Sequence, residues 1–216
     1  MDVLTNALVV LLVLANLRLL GSSRLASCVR TVAAQGILLG LLAILAAWQS
    51  GFTVHSVALG TVSIALKGLV FPWLMMRTLR DVHSRREAFP FIGYTSSLLA
   101  GIAMIGVALW LSSRLPLPNG AAASSLLVPA SLFTILVGLF LIITRRAALT
   151  QVLGYLALEN GIYGFGLGFA LQEALLVELG ILMDVFMAVF VMGIAIFHIS
   201  RAFDDTDTDR LSTLKD

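Results

Sequence analysis

The stretch LLVPASLFTILVGLFLIIT, residues 126–144, is apolar over almost its whole length and contains no charged residue. A membrane-spanning helix needs about 20 mostly apolar residues, because ~1.5 Å of rise per residue must cross ~30 Å of hydrocarbon. Six further stretches meet this requirement, so the sequence predicts an all-α integral membrane protein with seven transmembrane helices. The predicted spans are residues 3–20, 29–49, 54–79, 89–112, 126–144, 147–171 and 174–199.

The composition independently indicates a membrane protein. Of the 216 residues, 59% are apolar and 12% are charged, whereas a soluble domain is about half apolar and a quarter charged. The net charge of +2 comes from scattered arginines and not from a continuous basic patch, so nucleic acid is not an expected partner. Cys28 is the single cysteine, and the sequence predicts no metal or cofactor bound by this chain.

Basic residues lie almost entirely on one side of the predicted spans. Because Lys and Arg are retained on the cytoplasmic side, the pattern predicts an external N-terminus and a cytoplasmic C-terminus. The opposite side carries only Arg114, and Lys67 lies within the third span. The twelve basic residues assigned to the cytoplasmic side are Arg18, Arg24, Arg30, Arg77, Arg80, Arg85, Arg86, Arg145, Arg146, Arg201, Arg210 and Lys215.

The chain divides at residues 115–125, which are rich in turn-forming residues and almost free of charge. This external linker separates a four-helix half, residues 1–114, from a three-helix half, residues 126–200. Residues 201–216 contain several aspartates and threonines and are predicted to form a cytoplasmic acidic tail. The N-terminus lacks the positive region of a cleavable signal peptide, so the first span is expected to be retained.

Four charged residues are predicted to lie within the spans in the membrane, namely Lys67, Glu159, Glu178 and Asp184. A charged side chain near the bilayer centre costs about 2.5–3.5 kcal/mol on insertion scales and normally faces protein or water. Lys67 lies about ten residues from either end of the third span and is too deep to reach the interface. We therefore expect it to face a buried carboxylate or a hydrated cavity, as a functional group or as a structural ion pair.

Pro72 follows Lys67 closely in the same span. A proline has no backbone N–H, so the carbonyl of Gly68 loses its usual helical donor. Such a freed carbonyl in a membrane is normally satisfied by protein or water. The sequence therefore predicts a polar kink beside Lys67 that opens toward a cavity.

Glu159 lies near the middle of the sixth span, with Tyr155 and Tyr163 one helical turn away on the same face and Asn160 beside it. Burial favours a neutral carboxylic acid, whereas a nearby cation favours the anion. This balance makes Glu159 the first candidate for a proton carrier. The alternative is a protonated glutamic acid that holds helices together. Small residues that can admit a close neighbouring helix occur at Gly154, Gly161, Gly164, Gly166 and Gly168.

The seventh span contributes Glu178 toward its outer end, Asp184 nearer its centre and His198 at its cytoplasmic end. Six residues on a helix turn the two carboxylates about 120° apart, so they suit successive stations better than a paired acid and base. An interfacial position is the alternative for Glu178 and is expected for Glu173.

The complete predicted proton pathway combines residues of three spans. Its charged members are Lys67, Glu159, Asp184 and Glu178, and its supporting polar members are Tyr155, Asn160, Tyr163 and His198.

The segment LFTILVGLFLIITRR at residues 132–146, followed by QVLGYLALEN at 151–160, resembles the K-type (NuoK-like) subunit of respiratory complex I. The whole chain, with GYLALENGIYGFG at 154–166, is similar to the hydrogenase-4 component E family. Proteins of that family are membrane subunits of group 4 nickel-iron hydrogenase and formate hydrogenlyase-type complexes. In the K-type pattern, Glu159 falls about one turn after the family glutamate, and Asp184 replaces a second glutamate.

This resemblance implies a non-catalytic subunit of a complex I-related complex in the bacterial inner membrane. It implies antiporter-like membrane partners and peripheral hydrogenase-like partners that hold the nickel-iron and iron-sulfur centres, with lipid around the chain. Glu159 and Asp184 would belong to a hydrophilic axis that couples redox chemistry to proton or sodium movement.

Three other functions stay open on the residues alone: a subunit of a multisubunit cation/proton antiporter, a small autonomous secondary transporter, and a structural membrane anchor. An autonomous secondary transporter typically shows internal repeats with broken helices, and this sequence has no clear internal repeat. A retinal protein is disfavoured because the buried lysine lies in the third span and not in the seventh.

Overall fold

The structure is a computed structural model that describes residues 2–50, 61, 64–81, 91–115 and 126–168. These residues are almost entirely helical. The seventh predicted span, the acidic tail and most of the external linker lie outside the described residues. The helices are α1 (Asp2–Gly21), α2 (Leu25–Ser50), a π-helical turn (Leu66–Val70) that leads directly into α3 (Phe71–Asp81), α4 (Tyr94–Ser112), α5 (Leu127–Thr144) and α6 (Ala148–Gly168).

Four described helices are long and apolar enough to cross a membrane. The qualifying segments are Val3–Gly21, Leu25–Ala46, Tyr94–Ser112 and Leu127–Thr144. They coincide with the first, second, fourth and fifth predicted spans, and α6 coincides with the sixth. The helical class is therefore confirmed, while the count of seven spans and the orientation stay predictions.

Two helices begin several residues away from their predicted first residues. α2 begins at Leu25 and not at residue 29, so the helix extends four residues beyond the N-terminal end of the predicted span. α4 begins at Tyr94 and not at residue 89, with Gly93 as its N-cap. Apolar runs mark the part of a helix that can lie in lipid, whereas its ends depend on backbone hydrogen bonds.

The helices α5 and α6 form a close-packed pair. A Cβ atom added at Gly138 would lie 2.5 Å from the Leu158 backbone nitrogen, and one added at Gly161 would lie 2.6 Å from the Ile135 nitrogen. Contacts this short leave no room for a side chain. The close approach predicted from the glycines of the sixth span is therefore confirmed at Gly154 and Gly161, and it fixes the face that α6 turns toward α5.

The remaining helices pack around this pair. α1 contacts α2, α4 and α5, while α2 contacts α6, the π-helical turn and α3. The side chains of Leu12, Leu20, Phe133 and Val137 are fully buried between them. α6 is thus covered by α5 and α2, which places the middle of α6 against the π-helical turn.

Candidate functional site

Lys67 lies in the π-helical turn at Leu66–Val70. The backbone N–H of Phe71 donates to the carbonyl of Leu66, five residues earlier, where an α-helix would use the residue four earlier. The following residue, Pro72, has no backbone N–H. It therefore cannot donate the α-helical hydrogen bond to the carbonyl of Gly68. The feature predicted as a kink is therefore a widened helical turn. Such turns are frequent at functional sites, because they change the direction in which a side chain points.

Lys67 and Glu159 form a buried ion pair. The Lys67 Nζ atom lies 2.5 Å from Glu159 Oε1, and the two side chains are 7% and 4% exposed. The expectation that Lys67 faces a buried carboxylate is confirmed. Each charge removes much of the other's need for water, so removal of either partner alone leaves an uncompensated charge inside the protein.

The surroundings of the pair hold the lysine in place. The Nζ atom lies 5.1 Å from the centre of the Tyr163 ring, within the range of a cation–π contact. On the other side, α2 presents Gly36, where an added Cβ atom would lie 2.6 Å from the Lys67 Cβ atom. The absence of a side chain at Gly36 therefore gives Lys67 its room.

A small cavity borders the ion pair. It has a volume of about 10 Å³ and is lined by Lys67, Glu159 and Asn160 together with apolar side chains that include Val32 and Phe71. A space of this size accommodates about one water molecule. The cavity predicted beside Pro72 is present, although it is much smaller than a continuous aqueous channel.

A second polar group crosses the helices at Asn16 of α1, Gln35 of α2 and Thr134 of α5, and we call it the amide row. All three side chains are fully buried. Gln35 Nε2 donates to Asn16 Oδ1 at 2.9 Å, and Asn16 Nδ2 donates to Thr134 Oγ1 at 2.8 Å. Sequence reasoning missed this row. Its signal is a pair of amide side chains in two otherwise apolar spans.

Arg145 forms a further buried polar contact. The sequence predicts that Arg145 lies in a cytoplasmic connection, but Arg145 is only 1% exposed. Its Nη2 atom donates to the Leu20 carbonyl at 3.0 Å and lies 3.4 Å from Ser97 Oγ. The guanidinium also lies 4.6 Å from the centre of the Tyr94 ring. Arg145 thus joins the ends of α1, α4 and α5, and no local pattern distinguishes it from exposed Arg146.

The other predicted site residues divide into two sets. Asn160 is buried beside Glu159, while Tyr155 packs against the apolar core. Glu178, Asp184, His198 and Glu173 lie outside the described residues. Among the residues that the structure describes, no three His, Cys, Asp or Glu side chains form a group that could hold a metal ion.

Comparisons with known proteins give two kinds of relative. The chain is 34% identical over 208 residues to "Uncharacterized protein Rv0085" of Mycobacterium tuberculosis, covering 95% of this chain and 93% of that protein. It is 28% identical over 149 residues to Hydrogenase-4 component E of Escherichia coli K12, covering 69% of this chain and 68% of that protein. The Shigella flexneri protein of the same name gives the same values. No family model matches the chain, and no solved structure matches it.

Proposed function

The chain belongs to the same family as the Mycobacterium tuberculosis protein Rv0085, and we propose that it is a membrane subunit of a hydrogenase-related redox complex. In this proposal, Lys67 and Glu159 take part in proton movement through the membrane. The observation that carries the proposal is their ion pair, buried between the π-helical turn and the middle of α6. The similarity to Hydrogenase-4 component E supports the type of complex.

The pair has the chemistry that proton transfer requires. Glu159 can accept a proton and Lys67 can favour its release, because a nearby ammonium stabilises the carboxylate. Cohesion between the π-helical turn and α6 does not depend on this pair alone, since α2 packs against both of them. The adjoining cavity offers room for a single water that can bring the proton to the carboxylate.

Residues of the seventh predicted span continue the proposed path, and other membrane subunits adjoin the chain. We propose that Asp184 and Glu178 continue it, with His198 at the cytoplasmic end, and that antiporter-like subunits adjoin the chain in the bacterial inner membrane. The outer face of α4 is apolar, with Leu99, Ile102 and Trp110 exposed along it, and it is compatible with lipid as well as with a neighbouring membrane subunit. The nickel-iron and iron-sulfur centres of the complex would lie in peripheral partner subunits.

The decisive experiment replaces Glu159 with glutamine in the complete complex. Glu159→Gln keeps an acceptor for Lys67 but cannot bind and release a proton at this position. We expect the complex to assemble and to keep its dye-linked redox activity, while proton translocation per electron falls about tenfold or more. Unchanged translocation in the assembled complex would reject the carrier role.

A matched control is Thr150→Val, which changes another buried polar side chain on α6 at a distance from the pair. It should leave translocation unaltered. Purification in mild detergent provides a second check. Recovery of the chain with antiporter subunits but without redox subunits would favour a cation/proton antiporter, and ion transport by the isolated chain in liposomes would favour an autonomous transporter.

A further inference from the structure

The direction of every hydrogen bond in the amide row follows from one backbone carbonyl. Asn16 contacts the Leu12 carbonyl at 3.0 Å, and a carbonyl can only accept a hydrogen bond, so the Asn16 amide nitrogen must face it. The Asn16 oxygen therefore faces Gln35. Gln35 must in turn present its amide nitrogen to Asn16, at 2.9 Å. The assignment of nitrogen and oxygen is thus fixed by the network.

This direction leaves the Gln35 Oε1 atom at the end of the row. It is buried and has no hydrogen-bond partner within the described residues. A buried amide oxygen without a donor is costly in an apolar interior. The missing donor must carry a proton, and a water, a hydroxyl or an ammonium would satisfy it. An anion would not.

Lys67 is the only lysine among the residues that the structure describes. Gln35 is followed on α2 by Gly36, the residue against which the Lys67 side chain packs. Gln35 thus stands on a helix that packs both against α1, toward which its amide nitrogen points, and against the π-helical turn that carries Lys67. The lysine has three donors on a flexible stem, and the hydrogen bond that the structure gives it here goes to Glu159.

We propose that Gln35 is a positioning residue for Lys67, and that its Oε1 atom accepts the Lys67 ammonium whenever Glu159 is protonated. The inference rests on the proposed function, because it describes the second state of the same ion pair. A proton that arrives at Glu159 Oε1 neutralises the carboxylate and breaks its charge-assisted contact with Lys67. The ammonium keeps all three protons and turns to Gln35, and it returns when Glu159 releases its proton.

The amide row fixes the place of the Gln35 oxygen that would accept the Lys67 ammonium. Asn16 uses its amide hydrogens on Leu12 and Thr134, and Thr134 donates to the Ala130 carbonyl at 2.7 Å. These bonds anchor Gln35 in one orientation. Neither amide needs to change its protonation state, so the row supports the lysine and does not conduct protons itself.

A structure of the complex that carries Glu159→Met tests the proposal directly. Methionine imitates the size of the glutamate and accepts no strong hydrogen bond, so Lys67 must find another partner. We expect its Nζ atom within about 2.7–3.2 Å of Gln35 Oε1. Lys67 held by any other group or by a water alone would overturn the inference. This outcome does not depend on proton translocation, so it can fail while the proposed function stands.

The pH profile of translocation provides the second test. In Gln35→Met, protonation of Glu159 would leave Lys67 without its second acceptor, so a higher proton concentration is needed to reach that state. We expect the midpoint of the profile to move about one unit to lower pH, which corresponds to a tenfold change in proton affinity. The titratable groups near Glu159 in the described part are Lys67, which pairs with it, and Tyr155 and Tyr163, which lie one helical turn away on α6.

The control for this test is Thr150→Val, which should leave the midpoint unchanged. A lower yield of Gln35→Met complex with an unchanged midpoint would show a merely structural role and overturn the inference. If Glu159→Met fails to assemble, the pH profile decides the question alone.

Discussion

Lys67 and Arg145 are both buried cations, but the structure satisfies them in different ways. Lys67 meets a carboxylate at 2.5 Å, whereas the contacts of Arg145 include the Leu20 carbonyl, the Ser97 hydroxyl and the Tyr94 ring. A carboxylate can be neutralised by a proton, but a backbone carbonyl cannot. The comparison therefore separates the Lys67–Glu159 pair, whose charge can change, from the contact of Arg145 with the Leu20 carbonyl, whose charge cannot.

The backbone around each cation reinforces this difference. Lys67 stands on a π-helical turn just before Pro72, where the regular ladder of hydrogen bonds is interrupted. Arg145 caps α5 through its own N–H, which donates to Leu141, and its carbonyl accepts from the Gln151 side chain at 2.9 Å. Arginine also keeps its charge under all ordinary conditions. Arg145 thus suits a fixed joint between helices.

The largest expected effect comes from removing the Lys67 charge. Lys67→Met leaves the Glu159 carboxylate buried without a cation, which costs about 3–5 kcal/mol. We expect a large loss of assembled complex in detergent, measured as the yield of the intact assembly. The double variant Lys67→Met with Glu159→Met should recover much of this yield but not proton translocation, because it removes both charges together. Normal assembly and unaltered coupling in Lys67→Met would show that the pair is dispensable.

Changes at Arg145 should affect stability without affecting translocation. Arg145→Lys keeps the charge but loses the planar group that reaches α1, α4 and the tyrosine ring together, and we expect a loss of about 1–3 kcal/mol. The measurement is the thermal stability of the complex, with translocation normalised to the assembled amount. Arg146→Lys, at an exposed neighbouring position, should change stability by less than about 0.5 kcal/mol. Lower normalised translocation in Arg145→Lys would break the distinction between the two cations.

The sequence predicted one of these two sites and missed the other for a physical reason. A charge inside an apolar span is conspicuous, so the depth of Lys67 and Glu159 required buried partners before any contact was known. Arg145 stands at the end of a span, where an exposed arginine is ordinary, and only the convergence of α1 and α4 reveals its burial. Gln35 and Asn16 carry no charge, and their pairing depends on the packing of α1 against α2.

The apolar runs of the sequence predicted where the helices lie, but they did not predict the local hydrogen-bond pattern within a helix. The strongly apolar spans were located to within a few residues, since burial in lipid requires that composition. The π-helical turn could not be derived, because Pro72 predicts an interrupted hydrogen bond and does not specify how the backbone accommodates it.

An effect on stability similar to that of Arg145→Lys is expected at Gly36, the residue that gives Lys67 its room. Gly36→Ala places a methyl group against the lysine stem and should cost about 1–3 kcal/mol through overpacking. We also expect reduced translocation, because Lys67 is displaced from Glu159. Gly106→Ala is the matched control, since Gly106 is exposed on α4 and an added Cβ atom meets nothing within 4 Å. Equal behaviour of the two variants in thermal stability and translocation would contradict the tight packing at Gly36.

The smallest expected effect on stability comes from Pro72→Ala, which tests whether the π-helical turn is needed to aim Lys67. Alanine restores a backbone N–H that can donate to the Gly68 carbonyl and so favours a continuous α-helix. That change of register would turn Lys67 about 100° relative to α3 and away from Glu159. The regained hydrogen bond and the weakened ion pair oppose each other, so we expect stability to change by less than about 1 kcal/mol. Translocation should fall more clearly than stability, because a larger share of molecules then holds Lys67 away from the carboxylate. A structure of the variant should show whether the turn has become α-helical. A continuous α-helix with unchanged translocation would mean that proton movement does not require the pair, and the difference drawn between Lys67 and Arg145 would lose its functional meaning.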